Sequence, residues 1–243
     1  MIRKSVLVIL IALAAGISLA AIKYNPSDTE QWEPIPAVIS ALPNMPPSDA
    51  LVLFDGSSLD AWIDRDENTP AWTIEDGALV VNPGTGDLLS RGEFCDIQLH
   101  LEWMVPTPDP DTSGQNRSNS GVFLQDRYEV QVLDSYENET YVNGQAGAIY
   151  KQTPPLVNAM RPPNQWQSYD IIFKAPQFKG DALTAPGHIT VLHNGVLIQN
   201  HTELLGKTVF IGQPSYEPHG CAPIRLQDHR NRVFYRNIWV REL

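Results

Sequence analysis

From Asp96 to Trp103 the sequence DIQLHLEW alternates apolar and polar residues without a break. An extended chain sends Ile97, Leu99, Leu101 and Trp103 to one face and Gln98, His100 and Glu102 to the other. The split recurs at Tyr128-Glu129-Val130-Gln131-Val132, where Glu129 and Gln131 face away from the three apolar residues and Asp134 stands at the strand's end. Helical i, i+3, i+4 spacing is nearly absent. Further runs read as strands at Trp72 to Ile74, Ala78 to Val81, Phe94 to Met104, Gly121 to Leu124, Gln167 to Phe173, His188 to His193, Val196 to Gln199, Ile224 to Leu226 and Phe234 to Arg241. Asn194-Gly195 is a type I′ hairpin signal, and Glu75-Asp76-Gly77 reads as another tight turn. Many short strands with turn punctuation predict an all-β antiparallel sandwich or jelly roll.

At the N-terminus, Arg3 and Lys4 precede an apolar run to Leu19, and Ser18-Leu19-Ala20 supplies small residues for cleavage. Residues 1–20 read as a signal peptide, with an uncleaved anchor as the alternative. No cysteine lies near the cleavage point to carry a lipid. The mature chain is therefore expected to be periplasmic or secreted, with no membrane span. Residues 21–49 are proline-rich and read as a tether, and residues 50–243 as one domain. Pro106 to Arg117 and Gln152 to Pro163 read as long surface loops of the kind that border binding sites.

The net charge is −11 and the 17 Lys and Arg form no block, which excludes a phosphate-tracking surface and hence nucleic acid as a partner. The two cysteines, Cys95 and Cys221, pair as a disulfide in an oxidising compartment or remain as buried thiols. No nucleophile elbow, zincin helix, P-loop or dinucleotide fingerprint occurs.

A solvated outer face is the plain reading of one alternating strand; two such strands shift the balance towards a face of fixed donors and acceptors for sugar hydroxyls. Gln227-Asp228-His229 follows a strand and places an imidazole beside a carboxylate at the sheet rim, where His229 can act as a general acid or base or simply be satisfied by Asp228.

Together, Leu53-Phe54-Asp55-Gly56, Trp72 to Gly77, Asp96 to Trp103, Asn119 to Leu124, Tyr128 to Ser135, Gly147 to Tyr150, Leu226 to His229 and Arg236-Asn237-Ile238-Trp239 resemble the 3-keto-disaccharide hydrolase family. Its members are described as 3-keto-glucoside 1,2-lyases and 3-keto-2-hydroxyglucal hydratases. The resemblance implies a concanavalin A-like jelly roll and an enzyme acting on a small oxidised carbohydrate. In that chemistry a C3 ketone acidifies the C2 proton, its removal expels the C1 substituent, and water adds to the glucal. On that reading Glu129 or His229 takes the proton and Gln131 and Asn119 hold the sugar. Glu102 and Asp134 act as acid or orienting groups, Gln227 and Asp228 position His229, and His100 adds a polar contact. No cofactor is established by the sequence; a divalent cation could also stabilise the enolate, but no ligand spacing marks a site. The competing readings are a lectin-like binding module and an ordinary glycoside hydrolase.

Overall fold

The computed structural model describes residues 24–43 and 45–243. Contacts divide them into two units that meet in sequence at Val38 and Ile39. The expected signal peptide lies outside the described residues. In the first unit, residues 24–38 are exposed and carry one short 3-10 turn, Pro26–Thr29, and no strand.

The second unit holds the strands β1 (Leu51–Phe54), β2 (Trp62–Ile63), β3 (Thr73–Glu75), β4 (Ala78–Val80), β5 (Leu88–Phe94), β6 (Ile97–Met104), β7 (Ser120–Leu124), β8 (Tyr128–Val132), β9 (Gln167–Lys174), β10 (Gln177–Lys179), β11 (Ala182–Ala185), β12 (His188–His193), β13 (Val196–Glu203), β14 (Ala222–Leu226) and β15 (Phe234–Glu242). An eight-stranded sheet runs β13-β12-β9-β6-β15-β4-β3, with β1 also paired to β15, and a five-stranded sheet runs β2-β5-β14-β7-β8. The pairings in both sheets are antiparallel. The predicted all-β antiparallel sandwich is the observed fold.

Alternation explains the core. Ile97, Leu99, Leu101 and Trp103 of β6 and Tyr128, Val130 and Val132 of β8 are all buried in one cluster between the sheets. A Leu-to-Ala change at such a position costs about 2–5 kcal/mol. The polar residues of β6 and β8 therefore point outward, on opposite faces of the sandwich. Asn194 and Gly195 both take positive φ, 54° and 77°, as the hairpin signal requires.

The run expected as one strand from Phe94 to Met104 is two strands in different sheets. It breaks at Cys95 and Asp96, where the Asp96 carboxylate accepts the N–H of Ala175, the residue after β9, at 2.8 Å. Cys95 and Cys221 form a disulfide at this corner, beside the Phe94–Ala222 pair of β5 and β14. Of the two expectations for the cysteines, the disulfide is the one observed.

Strand β15 carries a bulge between Arg236 and Trp239 opposite Glu102 and His100, with Asn237 at φ 48°. One extra residue shifts the alternation, and asparagine tolerates the left-handed conformation that this needs.

Candidate active site

On the outer face of the five-stranded sheet, a depression of about 250 Å³ is lined by Asn119, Phe123, Glu129, Gln131, Tyr150, Thr208, Phe210, Gln227 and His229. Strand β8 supplies Glu129 and Gln131, β7 supplies Phe123, and the segments flanking β7 and β14 supply Asn119, Gln227 and His229. Five of the residues singled out in the sequence, Glu129, Gln131, Asn119, Gln227 and His229, are thus brought together.

Glu129 is 4% exposed, and burial pushes its pKa up to about 8, against the pull of the Arg225 guanidinium and with a push from Asp87. Its backbone N–H donates to Thr208 Oγ1 at 3.0 Å. The Gln131 amide, turned to avoid setting its oxygen against two acceptors, donates to Glu129 Oε1 at 2.9 Å and to the Ser120 carbonyl at 3.0 Å. Gln227 Oε1 is buried and finds no hydrogen-bond partner among the described residues.

The segment after β14 is fixed from below. Asp228 does not meet the His229 ring as its partner; its carboxylate accepts the Gly84, Gly86 and Arg230 N–H groups at 2.7, 3.0 and 2.8 Å. Its own N–H donates to Asp87 at 2.9 Å, and Asp87 accepts Arg225 Nη1, also at 2.9 Å. Asp228 therefore positions the backbone that carries His229, whose side chain stays exposed at the rim. Ser120 Oγ donates to the Gln227 carbonyl at 2.6 Å and accepts the Tyr235 hydroxyl at 2.7 Å, which ties this segment through the core to β15.

Other predicted residues lie elsewhere. Glu102 and His100 project from the eight-stranded sheet, into a separate depression on the opposite face of the sandwich. Asp134 is fully buried, where its carboxylate accepts Arg117 Nε at 2.6 Å and the Tyr136 N–H at 3.1 Å, a structural ion pair outside the Glu129 depression. Among the described residues, no three carboxylate, imidazole or thiolate groups converge as a cation site requires.

Sequence reasoning missed Tyr150, Thr208, Phe123 and Phe210. The Tyr150 hydroxyl pairs with the Tyr141 hydroxyl at 2.7 Å, and burial raises its pKa. The Lys151 ammonium stands 4.1 Å from the Phe210 ring centroid and donates to the Phe210 carbonyl at 2.7 Å. Tyr150 closes the Gly147-Ala148-Ile149-Tyr150 segment, which is a usable signal. Thr208 and Phe210 sit in a stretch with no periodicity to mark them.

Comparison with known proteins agrees with this architecture. Residues 49–241 match the model of the 3-keto-alpha-glucoside-1,2-lyase-like domain. A Parabacteroides distasonis protein of solved structure, described as a glycosyl-hydrolase-type protein, is 47% identical, with 90% of this chain and 97% of that chain covered and a TM-score of 0.85. A second protein from the same organism, similarly described, is 17% identical over 80% of this chain and 94% of its own, with a TM-score of 0.59, and supports the fold alone. None of the curated proteins compared matches the chain. No helix among the described residues is long and apolar enough to cross a membrane. The chain belongs to the 3-keto-alpha-glucoside-1,2-lyase-like domain family, a carbohydrate-active family of glycosyl-hydrolase type.

Proposed function

We propose that the chain cleaves 3-keto-glycosides by C2 proton abstraction, β-elimination at C1 and hydration of the resulting glucal. One observation carries this reading: the depression has room for a single sugar ring and is lined by a single carboxylate, Glu129, whose pKa of about 8 suits proton transfer near neutral pH. An ordinary glycosidase needs two carboxylates across the scissile bond, and the lining supplies no second one. A lectin groove needs no buried carboxylate with a displaced pKa.

In the proposed reaction, ionised Glu129 takes the C2 proton, and the Gln131 amide holds the carboxylate on target. The electron pair moves into the C2–C3 bond and the enolate charge settles on the C3 oxygen, for which the Asn119 amide and the Tyr150 hydroxyl of the lining are the candidate donors. Collapse of the enolate forms the C1–C2 double bond and breaks the C1–O bond; His229 protonates the departing oxygen. Water then adds at C1, giving up a proton to His229, and Glu129 returns its proton to C2. Gln227 Oε1 accepts a sugar hydroxyl.

The apolar run after Arg3 and Lys4 supports export, and the Cys95–Cys221 disulfide suits an oxidising compartment. The test is turnover of a 3-keto-glucoside and its parent glucoside by the wild-type chain, Glu129→Gln and His229→Ala. Unchanged turnover in both variants would overturn the assignment.

A further inference from the structure

On the outer face of the eight-stranded sheet lies a depression of about 530 Å³, roughly twice the volume of the one around Glu129. Its floor comes from β6, β9 and β15, whose outward positions place His100, Glu102, Asp170 and Arg236 side by side. The bulge in β15 is what gathers Arg236, Asn237 and Trp239 there together; a regular strand would turn one of them towards the core.

The chemistry differs from that around Glu129. His100 Nδ1 stands 2.7 Å from Asp170 Oδ1, and Arg236 Nε donates to Glu102 Oε2 at 2.7 Å. Asn237 Nδ2 lies 3.0 Å from Glu102 Oε1 and 3.3 Å from His100 Nε2, so the two pairs form one network. Two arginines, Arg161 and Arg236, face two carboxylates, and the formal charges balance. His100, Asp170, Glu102 and Arg236 are partnered within the network and Arg161 Nη1 donates to the Trp166 carbonyl, which leaves spare lone pairs and N–H groups in fixed positions. Indole rings complete the lining: Trp239 stacks on His100 with centroids 5.2 Å apart, and the Arg236 guanidinium lies 4.0 Å from the centroid of the half-buried Trp166 ring.

A charge-balanced array of carboxylate, guanidinium and amide groups beside indole rings matches a neutral polyol ring, with vicinal hydroxyls for the network and C–H faces for the rings. An anionic ligand would need an excess of cations, and an apolar ligand would leave the network unsatisfied. We propose that this depression is a second saccharide-binding site, for a neutral oligosaccharide, serving attachment. It does not depend on the reaction at Glu129.

The test is NMR titration of the Glu129→Gln protein with cellotetraose, maltotetraose, mannotetraose and galactotetraose, each to about 10 mM, the range of weak single-site binding. The indole N–H signals of Trp166 and Trp239 report on this face. The expected result is saturable movement of those signals with at least one tetrasaccharide, weakened about tenfold or more by Trp166→Ala and by Asp170→Asn, two changes outside the core. Still indole signals with all four sugars would overturn the proposal. So would shifts that survive both substitutions, or shifts confined to residues around Glu129.

Discussion

Gly121 lies directly beneath Glu129: a Cβ on Gly121 would stand 2.7 Å from Glu129 Oε1 and 3.1 Å from its Cγ. The carboxylate rests in space that only glycine leaves open on the neighbouring strand, where the two residues are diagonal neighbours, two pairs apart in the β7–β8 register. Gly121→Ala must displace the Glu129 side chain. A misplacement of about 1 Å at a reacting group costs on the order of a hundredfold in rate. The expected outcome is a kcat loss of that size with substrate affinity changed much less, measured by steady-state kinetics beside a thermal melt to separate misplacement from unfolding.

The raised pKa of Glu129 sets the pH profile. As the base it must be ionised, so kcat/KM should rise with pH and level off near 8, the value for the free protein. Glu129→Gln should lower kcat by about 10²–10⁴-fold and remove the rise. A profile that instead falls through 8 would give Glu129 the acid's role.

The same group makes stability depend on pH. Its folded pKa of about 8 lies above the ordinary carboxylate value of 4.5, so the native state holds the proton more tightly. That contribution is fully present below 4.5 and is lost as pH rises through 8. Glu129→Gln should therefore be more stable than wild type at about pH 9, by on the order of 3–5 kcal/mol, and little different at about pH 4. His193, buried and held near 3, acts in the opposite direction: it destabilises the fold as pH drops below 6.5. Both proteins carry His193, so the difference between their urea midpoints isolates Glu129.

Closing a 126-residue separation, the Cys95–Cys221 bond constrains the unfolded chain. Replacing both cysteines with alanine should cost about 2–5 kcal/mol, read as a lower denaturation midpoint. Turnover should persist in the folded fraction, because the disulfide lies outside the lining of the Glu129 depression.

Alternation made β6 and β8 legible and told which of their residues face the core. It could not tell which sheet each strand joins. Strand β6 pairs with β9 and β15, and β7 pairs with β14; these partners lie many residues away, and no local pattern encodes the choice. Glu102 and Glu129 look alike in sequence for that reason, yet they stand on opposite faces of the sandwich. Asp134 misleads differently: a carboxylate at a strand end looks catalytic until Arg117, 17 residues earlier, is seen to bind it. The hairpin at Asn194-Gly195 needed only local geometry and was plain from the start. The bulge at Asn237 was hidden, because its cause is the pairing of β15 with β6.

The central claim is that Glu129 removes the proton at C2 of a 3-keto-glycoside. The most direct measurement is turnover of a 3-keto-glucoside deuterated at C2, in ordinary water, followed by mass spectrometry of the released sugar. The account predicts a primary isotope effect on kcat/KM, no cleavage of the parent glucoside, and a loss of turnover of about 10²-fold or more in Glu129→Gln. Absence of an isotope effect on kcat/KM, or a parent glucoside cleaved as fast as its 3-keto form, would contradict it.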